Sequence, residues 1–314
     1  MKRRTLCIYV LVIILNIIFL TGCSNNVTDK SINVEFQGKT YAGKYTGMFE
    51  KGKANGVGEF NYKKEDDYII YNGNFEKGIL KGEGTLDTNL YTIQFNEGIR
   101  TGEFKGQVFD GLAKGTGIFT AINKDNIKYT YDGQWDKGTF NGQGVLNWED
   151  DDTLDYIGTF VNGDFTPTPK ECFFSLATYP YMPFKISSKA QQFLNENEKI
   201  FPSSYLNEVS IHVDNSIKYK HLNKSPQEYG DKIVFVKGYV AQIFERTFIN
   251  DYTLTELLIS DENFNYYYVF YLGKCDFFEG DEISVYGLPL GGSSFENVSG
   301  GETLVQVLAG AYMR

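Results

Sequence analysis

The chain has 314 residues, is 42% hydrophobic and 22% charged, and carries a formal net charge of −10. That length supports about two domains, and the balance excludes a polytopic membrane protein and a disordered chain. The bias toward 33 glycines, 23 tyrosines and 25 phenylalanines, with only 7 prolines, predicts β-structure in which rings need space.

Residues 1–22 read as an export signal. Lys2, Arg3 and Arg4 are followed by an apolar run from Leu6 to Leu20, interrupted only by Asn16. The run is shorter than the ~20 residues of a spanning helix. It ends in Leu20-Thr21-Gly22-Cys23, which resembles the bacterial lipoprotein lipobox. The resemblance implies cleavage before Cys23, a diacylglyceryl anchor on its thiol, and a location on the extracytoplasmic face of a cell membrane, in a Gram-positive bacterium. An uncleaved N-terminal anchor is the alternative. Residues 23–40 are then a lipid-anchored tether and a first strand, with Ser24 to Asn33 as a flexible leash.

Residues 41–165 repeat. Tyr45, Gly47, Phe49, Gly52, Gly56 and Gly58 sit at offsets 0, 2, 4, 7, 11 and 13. Tyr71, Gly73, Phe75, Gly78, Gly82 and Gly84 keep those offsets, as do Tyr131, Gly133, Trp135, Gly138, Gly142 and Gly144. A variant copy starts at Phe104, a weak one at Tyr91 and a truncated one at Tyr156. Offsets 0, 2 and 4 share one face of a strand, and the glycine at offset 7 suits a hairpin turn. Phe60, Leu86, Phe119 and Leu146 follow on the return strands. The later glycines, Gly142 among them, are expected to leave room for rings of a neighbouring strand. The pattern resembles the MORN repeat family. The resemblance implies an elongated antiparallel sheet of stacked hairpins, a scaffold or adaptor role, and the phospholipid binding proposed for the family.

Charge argues against that lipid reading. Residues 41–165 hold 13 Lys/Arg against 20 Asp/Glu, with no basic run longer than Lys63-Lys64, whereas anionic lipid attraction needs clustered basic residues. The acidic stretch Glu149, Asp150, Asp151, Asp152 and Asp155 lacks the EF-hand spacing and reads as a solvated loop. The Gly-x-Gly pairs lack the helix and Lys-Ser/Thr of a nucleotide loop.

Residues 166–187 form a connector. Thr166-Pro167-Thr168-Pro169 disfavours helix and central strand, and Cys172–Pro183 is expected as an extended cover. Cys172 and Cys275 either pair in an oxidising compartment or stay as buried thiols.

Residues 188–314 make a second, α+β module. Helical stretches are expected over Lys189–Lys199 and near Asn215–Leu222. Strands are expected at Lys232–Arg246, Leu254–Ser260, Tyr266–Leu272, Asp281–Gly287 and Thr303–Met313, with a bulge or coil at Gly238. Five strands with Lys237-Gly238-Tyr239-Val240, Glu279-Gly280-Asp281 and Val285-Tyr286-Gly287 resemble an OB-fold barrel, with the usual helix squeezed into Gly273–Glu279. Tyr266, Tyr268 and Phe270 share one face, either core or a stacking surface. With 10 Lys/Arg against 17 Asp/Glu, nucleic-acid binding is disfavoured.

His212 and His221 stand alone, and no metal, triad or nucleophile-elbow motif occurs. The reading is a mainly β, non-catalytic binding or scaffold lipoprotein at the cell envelope, without cofactor or metal. Its partner would be a protein or a cell-wall polymer. The alternatives are a cryptic glycan-acting envelope enzyme, with carboxylates in a cleft between modules, and an OB-type oligosaccharide or nucleic-acid binder.

Overall fold

The computed structural model describes residues 25–96, 98–150, 152–249, 252–296 and 300–314; the signal and Cys23 lie outside the described residues. The first sheet has eleven strands: β1 (Asn25–Phe36), β2 (Lys39–Glu50), β3 (Lys53–Lys64), β4 (Asp67–Glu76), β5 (Ile79–Phe95), β6 (Gly98–Phe109), β7 (Leu112–Ile122), β8 (Lys128–Asp136), β9 (Thr139–Trp148), β10 (Tyr156–Val161) and β11 (Asp164–Phe165). Spatial order follows chain order, so the ladders between neighbouring strands are local and antiparallel. The sheet also coils back on its first hairpin. Glu35 pairs in parallel with Ile79, and the Gln37 side chain takes the Thr92 N–H at 2.8 Å while donating to the Thr92 carbonyl at 3.0 Å.

The repeat glycines play separate parts. At the turns, Lys137 (φ 49°) and Gly138 (φ 84°) show the positive pair that a two-residue hairpin of the favoured twist requires. Within the strands, Gly47 faces Gly58, Gly73 faces Gly84 and Gly133 faces Gly144. A Cβ on Gly58, Gly84 or Gly144 would fall inside the ring of Tyr45, Tyr71 or Tyr131. Those three rings are fully buried. Each hydroxyl donates to a backbone carbonyl three residues on, Met48 (2.7 Å), Asn74 (3.0 Å) and Gln134 (2.7 Å), so burial leaves no phenol unpaired. Edge-on and stacked contacts join copy to copy, as in Tyr45–Phe75 at 5.1 Å and Tyr131–Phe140 at 3.8 Å. Turn amides of Gly78, Gly138 and Gly163 donate to Ala54, Ala113 and Phe140 of the preceding hairpin, each at 2.9 Å.

Helices α1 (Pro169–Leu176), α2 (Ser188–Glu196), α3 (Leu206–Ser210) and α4 (Tyr219–Lys224) precede the second sheet, β12 (Val234–Thr247), β13 (Thr253–Ser260), β14 (Tyr266–Tyr271), β15 (Glu282–Glu296) and β16 (Glu302–Met313). Each of these five strands has two partners, in the ring β12-β13-β14-β16-β15. The β14–β16 pair is parallel and the others antiparallel. Gly238 stands where β12 passes from β15 to β13, and a Cβ there would press on the Ser260 carbonyl at 2.5 Å. One core cluster is mainly aliphatic, with Leu257, Val269, Val285 and Leu308 fully buried, and a second includes the buried rings of Phe173, Phe201 and Phe270.

Two expectations are corrected. The stretch expected as a leash, Ser24 to Asn33, is strand from Asn25, paired with Phe49, so the first strand of the 23–40 segment already begins at residue 25. The connector contains α1: Pro169 occupies the first helical turn, and Glu171 accepts the Thr168 N–H at 2.9 Å, the start signal that proline and glutamate at those positions supply. Of the two alternatives for the cysteines, the described residues show free thiols, Cys172 buried and Cys275 partly buried, and burial pushes the Cys172 thiol up to about 12. No described helix is long and apolar enough to cross a membrane.

Candidate functional site

The repeat-motif residues point inward. Tyr45, Tyr71, Phe75, Tyr131 and Trp135 are core, and burial raises the Tyr45 phenol to about 12. What remains for a partner is the opposite face of the same strands.

That face is built by a feature the sequence reading missed. In each hairpin the residue at offset 3 faces three residues of the return strand. Between the Gly133–Gly144 and Trp135–Phe140 pairs, Gln134 opposes residues 141–143. Its Oε1 fills the space over Gly142 and accepts the Gln143 N–H at 2.9 Å. Gln107 does the same for Thr116 at 2.9 Å. Asn74 donates to the Glu83 carbonyl at 3.4 Å. Gly142 therefore meets an amide, not a ring, and has φ 106°; its placement on the ring side is corrected. The recurrence of an amide at offset 3 was the available signal.

Register aligns the exposed side chains. Asn72 lies opposite Thr85, Thr85 opposite Gln107, Thr116 opposite Gln134, and Gln143 opposite Thr159. Glu59 precedes this uncharged row and Glu171 ends it. A groove of about 700 Å³ opens over the row, lined by Asn72, Asn74, Glu83, Gln107, Phe109 and Lys114. A second groove of about 730 Å³ lies over β2–β4, with Lys44, Asn61, Lys63 and Tyr68.

At the far end α1 closes the face. Glu171 is 4% exposed and sits over Gly158. It accepts from Gln143 Nε2 (3.0 Å), Thr159 N–H (3.2 Å) and the Thr159 hydroxyl (3.1 Å). Burial works to raise its pKa, but the hydrogen bonds from Thr168, Gln143 and Thr159 outweigh that and hold the carboxyl below its ordinary value.

On the second module a groove of about 620 Å³ runs between α4 and β12, with Lys218, Lys220, Tyr239, Asp261 and Asn265. The aromatic residues of β14 do not form an open row. Phe270 is fully buried under Phe184, 5.8 Å away. Tyr268 donates to the buried Glu256 at 2.8 Å, which also holds Arg246 at 2.7 Å. Among the described residues no group of three His, Cys, Asp or Glu side chains could hold a metal. The acidic turn is held by its own backbone, Asp150 accepting from the Asp152 and Thr153 amides.

No curated protein matches the chain. The MORN repeat family model matches residues 45–66 and 131–153, the first and the last of the three full copies, and the copies starting at Tyr71 and Phe104 repeat their ring-over-glycine geometry. The chain carries MORN repeats, which points to a binding or scaffold role.

Proposed function

We propose that the protein is a lipid-anchored, extracytoplasmic binding module without catalytic activity, which meets its partner through the outward polar face of the repeat sheet. The observation that carries this reading is the division of labour within the repeat. Every aromatic of the motif is spent on the core, while the intervening positions make a continuous exposed row over a groove. The second module is in this reading an OB-type barrel, supported by its ring of strand pairings and the parallel β14–β16 pair. It serves as a cap, because the connector covers the aromatic side of β14.

Anchoring rests on Leu20-Thr21-Gly22-Cys23. Strand β1 starts at Asn25, so a lipid on Cys23 holds the first edge of the sheet at the bilayer. Cys23→Ala is expected to remove the protein from the membrane fraction or leave an uncleaved precursor, and to abolish fatty-acid labelling. Equal labelling of wild type and variant would refute the anchor. Binding itself is tested by retention of envelope components on the full chain. Loss of retention on substituting Thr85 and Thr116 with Arg supports the sheet as the contact surface, and unchanged retention refutes it.

A further inference from the structure

The row along the sheet is a ladder of oriented amides, and orientation narrows what it can hold. A backbone N–H can be accepted only by an oxygen, so Gln107 and Gln134, whose Oε1 atoms take the Thr116 and Gln143 amides, turn their NH₂ groups outward. Asn74 uses its NH₂ on the Glu83 carbonyl and turns its oxygen outward. One outward acceptor and two outward donors are thus interleaved with Thr85 and Thr116, the Thr116 hydroxyl lying 3.4 Å from Gln107 Oε1. Neutral polar groups of this kind suit an uncharged polyol, which needs many hydrogen bonds and no ion pair. Of the flanking charges, Lys105 pairs with Asp87 and Lys81 with Asp110, each at 2.9 Å, and Lys114 Nζ lies 4.7 Å from the Phe109 ring centre, while Glu83 stands at the groove wall.

Spacing narrows the class further. Gln107 lies on β6 and Gln134 on β8, two strand spacings apart, or about 10 Å. In an extended β-1,4-linked glycan successive sugars are flipped, so like groups recur at every second sugar on one side of the chain. A polymer of that kind laid across the strands would offer an N-acetyl carbonyl to each glutamine in turn. Half-exposed Phe109, at the groove wall with Lys114 Nζ over one side of its ring at 4.7 Å, adds apolar surface for a sugar ring.

We propose that the outward face of the repeat sheet binds a neutral, extended β-1,4-linked glycan bearing N-acetyl groups, running across β4–β9. This rests on the reading of that face as the binding surface.

The test is calorimetric titration of the full lipidated chain in detergent with N-acetylglucosamine hexasaccharide (β-1,4) and with maltohexaose (α-1,4). The hexasaccharide is expected to bind and maltohexaose not. The Gln107→Glu/Gln134→Glu double variant keeps both acceptors on the backbone amides and loses both outward donors. It is expected to melt like wild type and to bind the hexasaccharide about tenfold more weakly, as the loss of two hydrogen bonds implies. Lys220→Ala, in the groove of the second module, is expected to change nothing. Equal affinity of wild type and double variant would overturn the assignment. So would retention of an envelope protein by wild type, but not by the double variant, without hexasaccharide binding; that result would keep the face as a protein-binding surface. Absence of both kinds of binding would overturn this inference and the proposed function together.

Discussion

In the repeat sheet each strand pairs with its sequence neighbours and the core is made of rings laid over glycines. In the second module β12 pairs with β15, β14 runs parallel to β16, and one of the two core clusters, the one holding Leu257, Val269, Val285 and Leu308, is mainly aliphatic. The difference decides where each region is fragile. A core of rings over glycine has no slack at the glycine, because the neighbouring ring already fills the place of a Cβ. An aliphatic core tolerates exchange of similar volumes. The two regions also meet: Ile249, in the β12–β13 connection, is 7% exposed and belongs to the core of the repeat sheet, while Phe248 touches both cores.

The largest expected effect follows from the glycine itself. Gly144→Val would drive two methyl groups into the Tyr131 ring and is expected to cost about 3 kcal/mol in urea unfolding. Gly292→Ala, in β15, has its nearest non-local heavy atom at 3.9 Å and no positive φ; it is expected to stay within about 0.5 kcal/mol. Gly292 is exposed, so similar losses in the two would show that the ring over Gly144 is not what makes that position sensitive.

Next comes the plug between them. Ile249→Ala is expected to cost about 2 kcal/mol and to separate a single thermal transition into two, one for each module. A single transition that merely shifts would mean that the modules are held together elsewhere.

The connection through α1 is expected to depend on pH. The Glu171 carboxyl has a lowered pKa in the folded chain, so its stabilisation is complete above the ordinary carboxyl value and is lost as pH falls through the folded value. Amide exchange in β10 and α1 should rise on acidification below about pH 4, and Glu171→Gln should flatten that dependence. An unchanged acid response in the variant would place the sensitivity on another group. The smallest effect belongs to Asp132, which is exposed on β8: Asp132→Asn should change stability by less than about 0.5 kcal/mol.

Legibility in the sequence follows the same divide. The repeats were readable because local pairing writes its own period: Tyr45, Gly47 and Gly58 predict one another through strand alternation and a two-residue turn. The five later strands were placed by alternation too, but β15 continues to Glu296, through glycines and Pro289 that read as a loop. The site was less legible. Gln107 and Gln134 act through a backbone irregularity that composition does not show. Glu171 acts on Gln143 and Thr159 across 28 and 12 residues. Ile249 looked like a loop residue because its neighbours in space are far away in the chain.

The most direct measurement is site-specific photocrosslinking in cells of the producing organism, with the probe placed in turn at Thr85 and Thr116 on the sheet and at Tyr239 in the groove of the second module. All three positions are exposed, so probe access is matched. The expected result is adduct formation from Thr85 and Thr116 and none from Tyr239. Adducts from Tyr239 alone would contradict the assignment of the binding surface to the repeat sheet.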